Sequence, residues 1–380
     1  MRFAKLIRRN LFRNKLRAIL TMLLLAVIFF FVATLLAILD NFEEFSNAGV
    51  GSNRIVVQSA ISLATLLPYS HEQKIRQLPG VVETAKLQWI GAYYKEKSNF
   101  FANFAIDGEK MPVVWDDYKI DPKQRADFLA DRRGALVAEA LMKRFGWKIG
   151  DRITLKRQIF PFDPELTIRG TFLHPVDTGS LFFPMEYFEH ANGDRSEVGT
   201  IWVKVKDPKQ MAALSQQIDA MFKNSDYPTE TFTEKEFQQN FMSMMGNVKL
   251  LFTAVSSCAV FMVILLAAIT MSMSARERVT EIAVLKAIGF EQRLILALML
   301  TEFLLLTIIG GAVGSFGAHF IYSAVDMGKV TQGFLQNFGI HAKTLAICVA
   351  TSAAVGLLAG GLPALRASNL RVVDGLRRVV

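Results

Sequence analysis

Cysteine is scarce in this 380-residue chain: there are two, Cys258 and Cys348, each inside an apolar run. A disulfide is therefore not expected, and the long polar segment holds no cysteine, so thiol usage does not reveal a compartment. The five histidines, His71, His174, His190, His319 and His341, form no H-E-x-x-H, since His71-Glu72 is followed by Gln73, Lys74 and Ile75. A G-x-S-x-G elbow is also missing, so neither a zinc hydrolase nor a serine nucleophile has a motif here. A phosphate loop would need G-x-x-x-x-G-K-[ST]. Around the Gly328-Lys329 pair, Ser323 stands where the first Gly belongs and Val330 where Ser or Thr belongs. Gly49-Val50-Gly51 lacks the third Gly of a dinucleotide loop. No catalytic residue, metal ligand or bound cofactor is expected in this chain.

What is abundant is apolar sequence. Hydrophobic residues make up 52% of the chain and mean hydropathy is positive. Ala18–Leu39 holds 22 residues without a charge and Leu250–Ser274 holds 25. Each is long enough to cross roughly 30 Å of hydrocarbon at about 1.5 Å per residue. The first is too long for the apolar region of a signal peptide and no small-x-small site follows it, so an uncleaved anchor is expected. Leu294–Val325 and Thr344–Leu365 complete four expected spans, taken as residues 18–39, 250–274, 294–325 and 344–365.

The net charge of +9 is not spread like a nucleic-acid footprint. Residues 1–17 hold seven Lys/Arg and no acid, 276–293 hold four against three, and 366–380 hold four against one. The stretch 40–249 holds 26 basic and 28 acidic residues. Positive charge thus marks one side of a membrane, which puts both termini and residues 275–293 in the cytosol and residues 40–249 outside it, with 326–343 as a short outer loop. Residues 1–17 interleave basic side chains with Phe3, Leu6, Ile7, Leu11 and Phe12, as either an amphipathic helix on anionic lipid or a plain basic flank.

The outer segment reads as mixed α and β. Arg54–Gln58, Val81–Tyr94, Phe100–Asp107, Arg152–Arg157, Thr167–Phe172 and Ile201–Val205 are strand candidates. Ser70–Leu78 reads as a helix with Ser70 and Gln73 in capping-box spacing, Pro208–Phe222 has helical period, and Thr233–Met245 reads as a helix that is either a stalk or packed on its own domain. Trp89, Tyr93, Tyr94, Phe100, Phe101 and Phe104 form an aromatic cluster that either builds core or lines a site for an amphiphile.

Between the second and third spans lies Ala275–Phe290, ARERVTEIAVLKAIGF. Val279, Ile282, Leu285 and Ile288 recur at threes, which forms one apolar stripe if the segment is helical; the alternative is a solvated loop between two spans. Glu277 and Glu281 lie a turn apart, with Arg276 and Arg278 beside them, and Gly289 stands where a helix stop is expected. Within the third span, Glu302 reads either as an inner-interface residue paired with Arg293 or Arg276 or as part of an ion path. Gly310, Gly314 and Gly317, with Gly356 and Gly360 in the fourth span, offer small-residue packing faces, within one subunit or along a dimer seam.

The segment ERVTEIAVLKAIGF followed by ILALMLTEFLLLTIIGGAVG resembles the core of the FtsX/MacB-type ABC transporter permeases. RNLFRNKLRAILT, GALVAEALMKRFGWKIGDRITL, IWVKVKDPKQMAALSQQIDAMF and GLPALRASNL also resemble pieces of that family. The resemblance implies an α-helical membrane protein with four transmembrane helices and a mixed α+β, two-lobed extracytoplasmic domain between helices 1 and 2, its inserted lobe at about 107–195. It makes residues 275–293 the coupling helix, with Arg276, Glu277, Arg278, Glu281 and Lys286 as contacts to an ATPase and Ile282, Leu285 and Ile288 in its groove. The implied partners are a cytosolic ABC ATPase carrying ATP and Mg, a second permease copy or related permease, a periplasmic adaptor and membrane lipid, with no nucleic acid. The implied location is the bacterial inner membrane. The implied work is efflux or extraction of a lipoprotein, peptide or amphiphile; the alternative is a non-transporting regulator that activates an extracytoplasmic partner such as a cell-wall hydrolase.

Overall fold

The computed structural model describes residues 15–46, 52–174, 177, 179–244, 248–325, 327–331 and 338–370. The expected basic N-terminal segment through residue 14, Gly49-Val50-Gly51, Met245, most of the short loop at 332–337 and the tail from 371 lie outside the described residues. The chain divides into two compact units, one of Met1–Asn41, Asn247–Val325 and Phe338–Val380 and the other of Phe42–Gly246 and Asp326–Asn337.

The first unit is built on four long helices, Lys15–Ser46, Val248–Glu277, Gln292–Ala324 and Ala342–Ser368. Each contains a stretch of at least 26 residues long and apolar enough to cross a membrane. Helices suit that setting because every backbone group inside hydrocarbon finds its partner within the same segment. Their shared core joins Leu25 and Phe29 of the first helix, Val263, Ala267 and Met271 of the second, Ile295, Met299 and Phe303 of the third, and Val355 and Ala359 of the fourth.

Small residues set how closely these helices approach. A Cβ at Gly314 would collide with the backbone carbonyl of Ala26, and one at Gly310 would sit 2.7 Å from the Leu25 Cβ. On the fourth helix a Cβ at Gly356 would strike Thr307, and one at Gly360 would lie 2.7 Å from Phe303. Gly317 takes no part in this packing within the unit, because a Cβ there would meet nothing within 4 Å among the described residues. At that turn the inward positions belong to Ser315 and Ala318.

The second unit is an α/β domain around one mixed sheet. Its strands are β1 (Arg54–Ser59), β2 (Leu67–Pro68), β3 (Val81–Trp89), β4 (Tyr93–Tyr94), β5 (Ala102–Ile106), β6 (Lys119–Ile120), β7 (Gly134–Ala138), β8 (Arg152–Lys156), β9 (Glu165–Leu173), β10 (Ser180–Pro184), β11 (Glu197–Val198), β12 (Thr200–Val205) and β13 (Thr229–Thr233). Eleven of them run in the order β13-β1-β12-β3-β5-β10-β7-β9-β8-β4, with β6 beside β9, while β2 and β11 pair separately. Most pairs are antiparallel; β10 on β5 and β7 on β9 are parallel. Residues 107–195 supply β6 to β10, which join the other strands through the parallel β5–β10 seam and through β4 paired on β8.

Both faces of the sheet are covered, as the alternation of side chains along a strand requires. Ile55 and Val57, Leu181 and Phe183, and Ile201 and Val203 face one core. Their neighbours Val56, Phe182 and Trp202 face the other. Leu214, Ile218 and Phe222, one turn apart on helix Met211–Phe222, seal the first core. Phe101 and Tyr94 belong to that core and Phe104 packs on the second, whereas Trp89 stays 46% exposed beside Phe100.

Two local expectations are corrected. The stretch 81–94 is not one strand, since Gly91 takes φ +67° and breaks it. The Asn103 side chain fills the gap, accepting from the Ala92 N–H at 2.9 Å and donating to the Ala92 carbonyl at 2.8 Å. The Ser70–Gln73 capping box does not form. Pro68 is extended in β2 and Tyr69 N–H donates to the Ser196 carbonyl, so the helix Tyr69–Arg76 begins a residue early.

Inside the first core, the buried His71 ring stacks on Phe222 at 3.8 Å, and its Nε2–H donates to the Tyr227 carbonyl at 3.0 Å. Burial holds its pKa below the ordinary 6.5. The unfolded chain therefore takes up a proton near that pH while the folded chain resists it, so stability is full above pH 6.5 and falls as the pH drops through it. Thermal unfolding of the full chain in detergent is expected to shift downward between pH 7.5 and 5.5, by at most about 1.4 kcal/mol per pH unit for one proton. His71→Phe is expected to flatten that dependence, and equal pH slopes in the two proteins would refute the assignment.

Candidate coupling site

The short segment between the second and third long helices has its own helix, Val279–Ala287, entered through a bend at Arg278 (φ −100°, ψ 9°). Its end is closed by a Schellman motif. Phe290 N–H donates to the Leu285 carbonyl at 3.0 Å and Gly289 N–H to the Lys286 carbonyl at 3.0 Å. Gly289 sits at φ +97°, which a side chain would strain, and nothing crowds it otherwise. Phe290 and Leu285, the residues such a motif brings together, both pack on the helix core. Glu291 then turns extended and caps the third long helix.

The bend is fastened by charge. Arg278 Nη1 donates to Glu302 Oε2 at 2.5 Å, with both side chains mostly buried. Glu302 therefore pairs with Arg278, not with Arg293 or Arg276, because the bend turns Arg278 back toward the third helix while Arg276 stays exposed. Lys286 is also committed within the unit, donating to the Leu370 carbonyl at 2.8 Å. Gln292 and Asn369 bond side chain to side chain nearby.

The apolar stripe is corrected by helical geometry. Steps of three residues turn by about 300°, so the spacing drifts by about 60° each time and about 180° over three steps. Val279 and Ile282 face the core, Ile282 being 4% exposed, while Leu285 is half-buried and Ile288 is 70% exposed on the other side. Ile282 is thus not free for a partner's groove. Val284, which the sequence reading missed, stands 43% exposed one turn before Ile288. Their i,i+4 spacing was the available signal. The outward face is Val284, Ala287 and Ile288, with Arg276 and Glu277 exposed at the preceding helix end and Glu281 half-buried.

A second constellation lies in the α/β domain and was not anticipated. The register Ile55↔Thr233 sets Arg54 opposite Glu234, and Arg54↔Lys204 sets Lys204 on its other side. Arg54, 3% exposed, donates to Glu234 at 2.7 and 3.1 Å and to both Asp117 oxygens at 2.7 Å. Lys204 reaches Asp116 at 2.8 Å. The register Lys119↔Leu173 places His174 by Asp117, and its Nε2–H donates to Asp117 at 3.2 Å while Nδ1 accepts from the Asp177 N–H. Burial opposes ionisation of Asp117, but the bonds from His174 and Arg54 outweigh it and hold its pKa well below the usual carboxylate range. Burial likewise opposes the Arg54 charge, and the bonds to Asp117 and Glu234 overcome it.

No group of three or more His, Cys, Asp or Glu able to hold a metal occurs among the described residues. The fold and the fastened helix between two long spans define a multi-pass membrane protein with an α/β domain between its first and second spans. A family model for the MacB-like periplasmic core domain matches residues 18–221, and one for the FtsX-like permease C-terminal region matches residues 253–372. The chain belongs to the FtsX/MacB family of ABC transporter permeases. An uncharacterised ABC transporter permease of Methanocaldococcus jannaschii is 23% identical over 97% of this chain and 96% of its own length. The macrolide export ATP-binding/permease protein MacB of Neisseria gonorrhoeae is 27% identical over 53% of this chain, which spans only 31% of that protein. The periplasmic region of MacB from Actinobacillus actinomycetemcomitans superposes at a TM-score of 0.38 and 11% identity, covering 52% of this chain and 95% of that region.

Breaking a buried pair by removing one partner costs about 3–5 kcal/mol, whereas an apolar replacement of both is often neutral. Glu302→Leu is expected to lower the thermal midpoint of the detergent-solubilised chain clearly, because it leaves Arg278 unpaired, and adding Arg278→Met is expected to recover most of it. A midpoint unmoved by Glu302→Leu would show that the pair is not structural.

Proposed function

We propose that this chain is the permease subunit of an ABC transporter, driven by a separate cytosolic ATPase that carries the ATP and Mg. The observation that supports it best is the fastened helix Val279–Ala287, which turns a small apolar face, Val284 with Ile288, away from its own unit. Arg276 and Glu277 are exposed at the end of the preceding helix. A small apolar patch with charges of both signs exposed before it in the chain suits a shallow groove on another protein. The excess of basic residues at 1–17, 276–293 and 366–380 supports a bacterial inner-membrane topology with this helix and both termini in the cytosol.

In this reading the ATPase pushes on Val284 and Ile288 while Arg278 and Lys286 hold the helix to the spans. Force then passes into the third helix through Glu302 instead of being lost in a loose loop. The work is done on a lipoprotein, peptide or amphiphile at the outer face, by a pair of such subunits or by this one with a related permease, and a periplasmic adaptor can join on that side.

Ile288→Asp tests this directly, because the side chain is exposed and its replacement leaves the core untouched. The variant is expected to insert and fold normally but to lose co-purification with, and stimulation of, an ABC ATPase by tenfold or more. Undiminished stimulation by the variant would overturn the docking face.

A further inference from the structure

The Arg54 constellation joins three parts of the α/β domain that are far apart in sequence. Arg54 opens β1, the first strand after the first long helix. Glu234 opens helix Glu234–Met244, which in sequence leads toward the second long helix. Asp117 lies in the turn before β6, and its partner His174 follows β9, so both belong to the segment 107–195. Further contacts extend this side: Tyr118 stacks on His174 at 4.4 Å and donates to Asp177 at 2.8 Å. Phe237, one turn after Glu234, packs on Trp202 and adds an apolar contact to the same helix.

A buried ion pair is weak evidence for stability, since apolar residues of similar volume often serve as well. What a guanidinium offers that they do not is direction. Its planar fork hydrogen-bonds two carboxylates along fixed lines, Nε and Nη2 toward Glu234 and Nη1 and Nη2 toward Asp117, while Nη1 also donates to the Val114 carbonyl at 3.3 Å and lies 3.7 Å from Asp116. Rotation of helix Glu234–Met244 about its axis would break the Glu234 side. A shift of the Asp117 turn would break the other. His174, held by the Asp177 amide, resists that second movement.

We infer that Arg54 is a positioning residue, one that fixes the angle of helix Glu234–Met244 to the β6–β9 edge of the sheet so that the two move as one body. This rests on the permease reading for its purpose, the passage of movement from a span into the domain, but not for its test.

The test uses the full-length chain in lipid nanodiscs, with Cys258 and Cys348 replaced by Ala and spin labels at Gln239→Cys on the helix and Leu173→Cys at the end of β9. Both positions are exposed. The native junction is expected to give one narrow distance distribution. Arg54→Met with Asp117→Leu and Glu234→Leu removes the charges together, and is expected to keep the thermal midpoint within a few degrees yet at least double the width. Arg54→Lys keeps the charge without the fork and is expected to broaden the distribution as well, which covers the case in which the triple variant fails to fold. A narrow, unshifted distribution in either folded variant would overturn the inference, because packing alone would then set the angle. No ATPase enters the measurement, so loss of the permease reading would leave this result standing, and the reverse holds too.

Discussion

A buried charge must keep its partner, and the Arg278–Glu302 pair is where the helical unit meets that demand. Once Arg278 is tied to the third helix, the first turn of helix Val279–Ala287 has only one orientation. Val279 and Ile282 then fall inward and Val284 and Ile288 outward. The Schellman closure at Gly289 fixes the other end, and Lys286 ties that last turn to Leu370, just past the fourth helix. A segment of one short helix, too brief to be stable alone, thereby presents a defined face. Apolar contact gives the helical unit its cohesion; charge gives this helix its rotation.

The α/β domain repeats that division of labour. Two apolar cores on opposite faces of the sheet supply most of the favourable burial, while Arg54, itself nearly inaccessible, sets angles. The two guanidiniums differ in one respect that matters. Arg278 bonds Glu302. Arg54 bonds both Glu234 and Asp117 and lies 3.7 Å from Asp116, and Asp117 is held in turn by His174. Removing any member of the larger network leaves a buried charge without its full complement, so its members are expected to be energetically non-additive.

The legibility of these features follows from how local they are. Charge-free runs such as 18–39 and 250–274 announce helices by length alone, because hydrocarbon leaves the chain no other arrangement. Strands such as Arg54–Ser59 and Thr200–Val205 showed through β-branched content, and their bounds shifted only by a residue or two. The break at Gly91 was hidden because Asn103, the residue that fills it, is distant in sequence. The sequence pattern located a short helix between the second and third spans but not its rotation. Four residues at threes look like one stripe, yet on a helix they spiral half-way round, and Ile282 and Ile288 end on opposite sides.

The Arg54 network was illegible for a sharper reason. None of Arg54, Asp117, His174 and Glu234 is near another in the chain, and each alone resembles an ordinary surface residue. Ladder registers assemble the pieces: β1 with β13 sets Arg54 by Glu234, β6 with β9 sets Asp117 by His174, and β1 with β12 adds Lys204, which reaches Asp116. Because side chains alternate along a strand, slipping any of these by one residue would send its charged member to the opposite face. The apolar pattern opposes that slip, since Val56 and Trp202 would then exchange cores with Ile55 and Ile201. The hydrophobic alternation that could be read from the sequence is therefore what enforces the charged cluster that could not, and the network's geometry is a consequence of the packing on both sides of it.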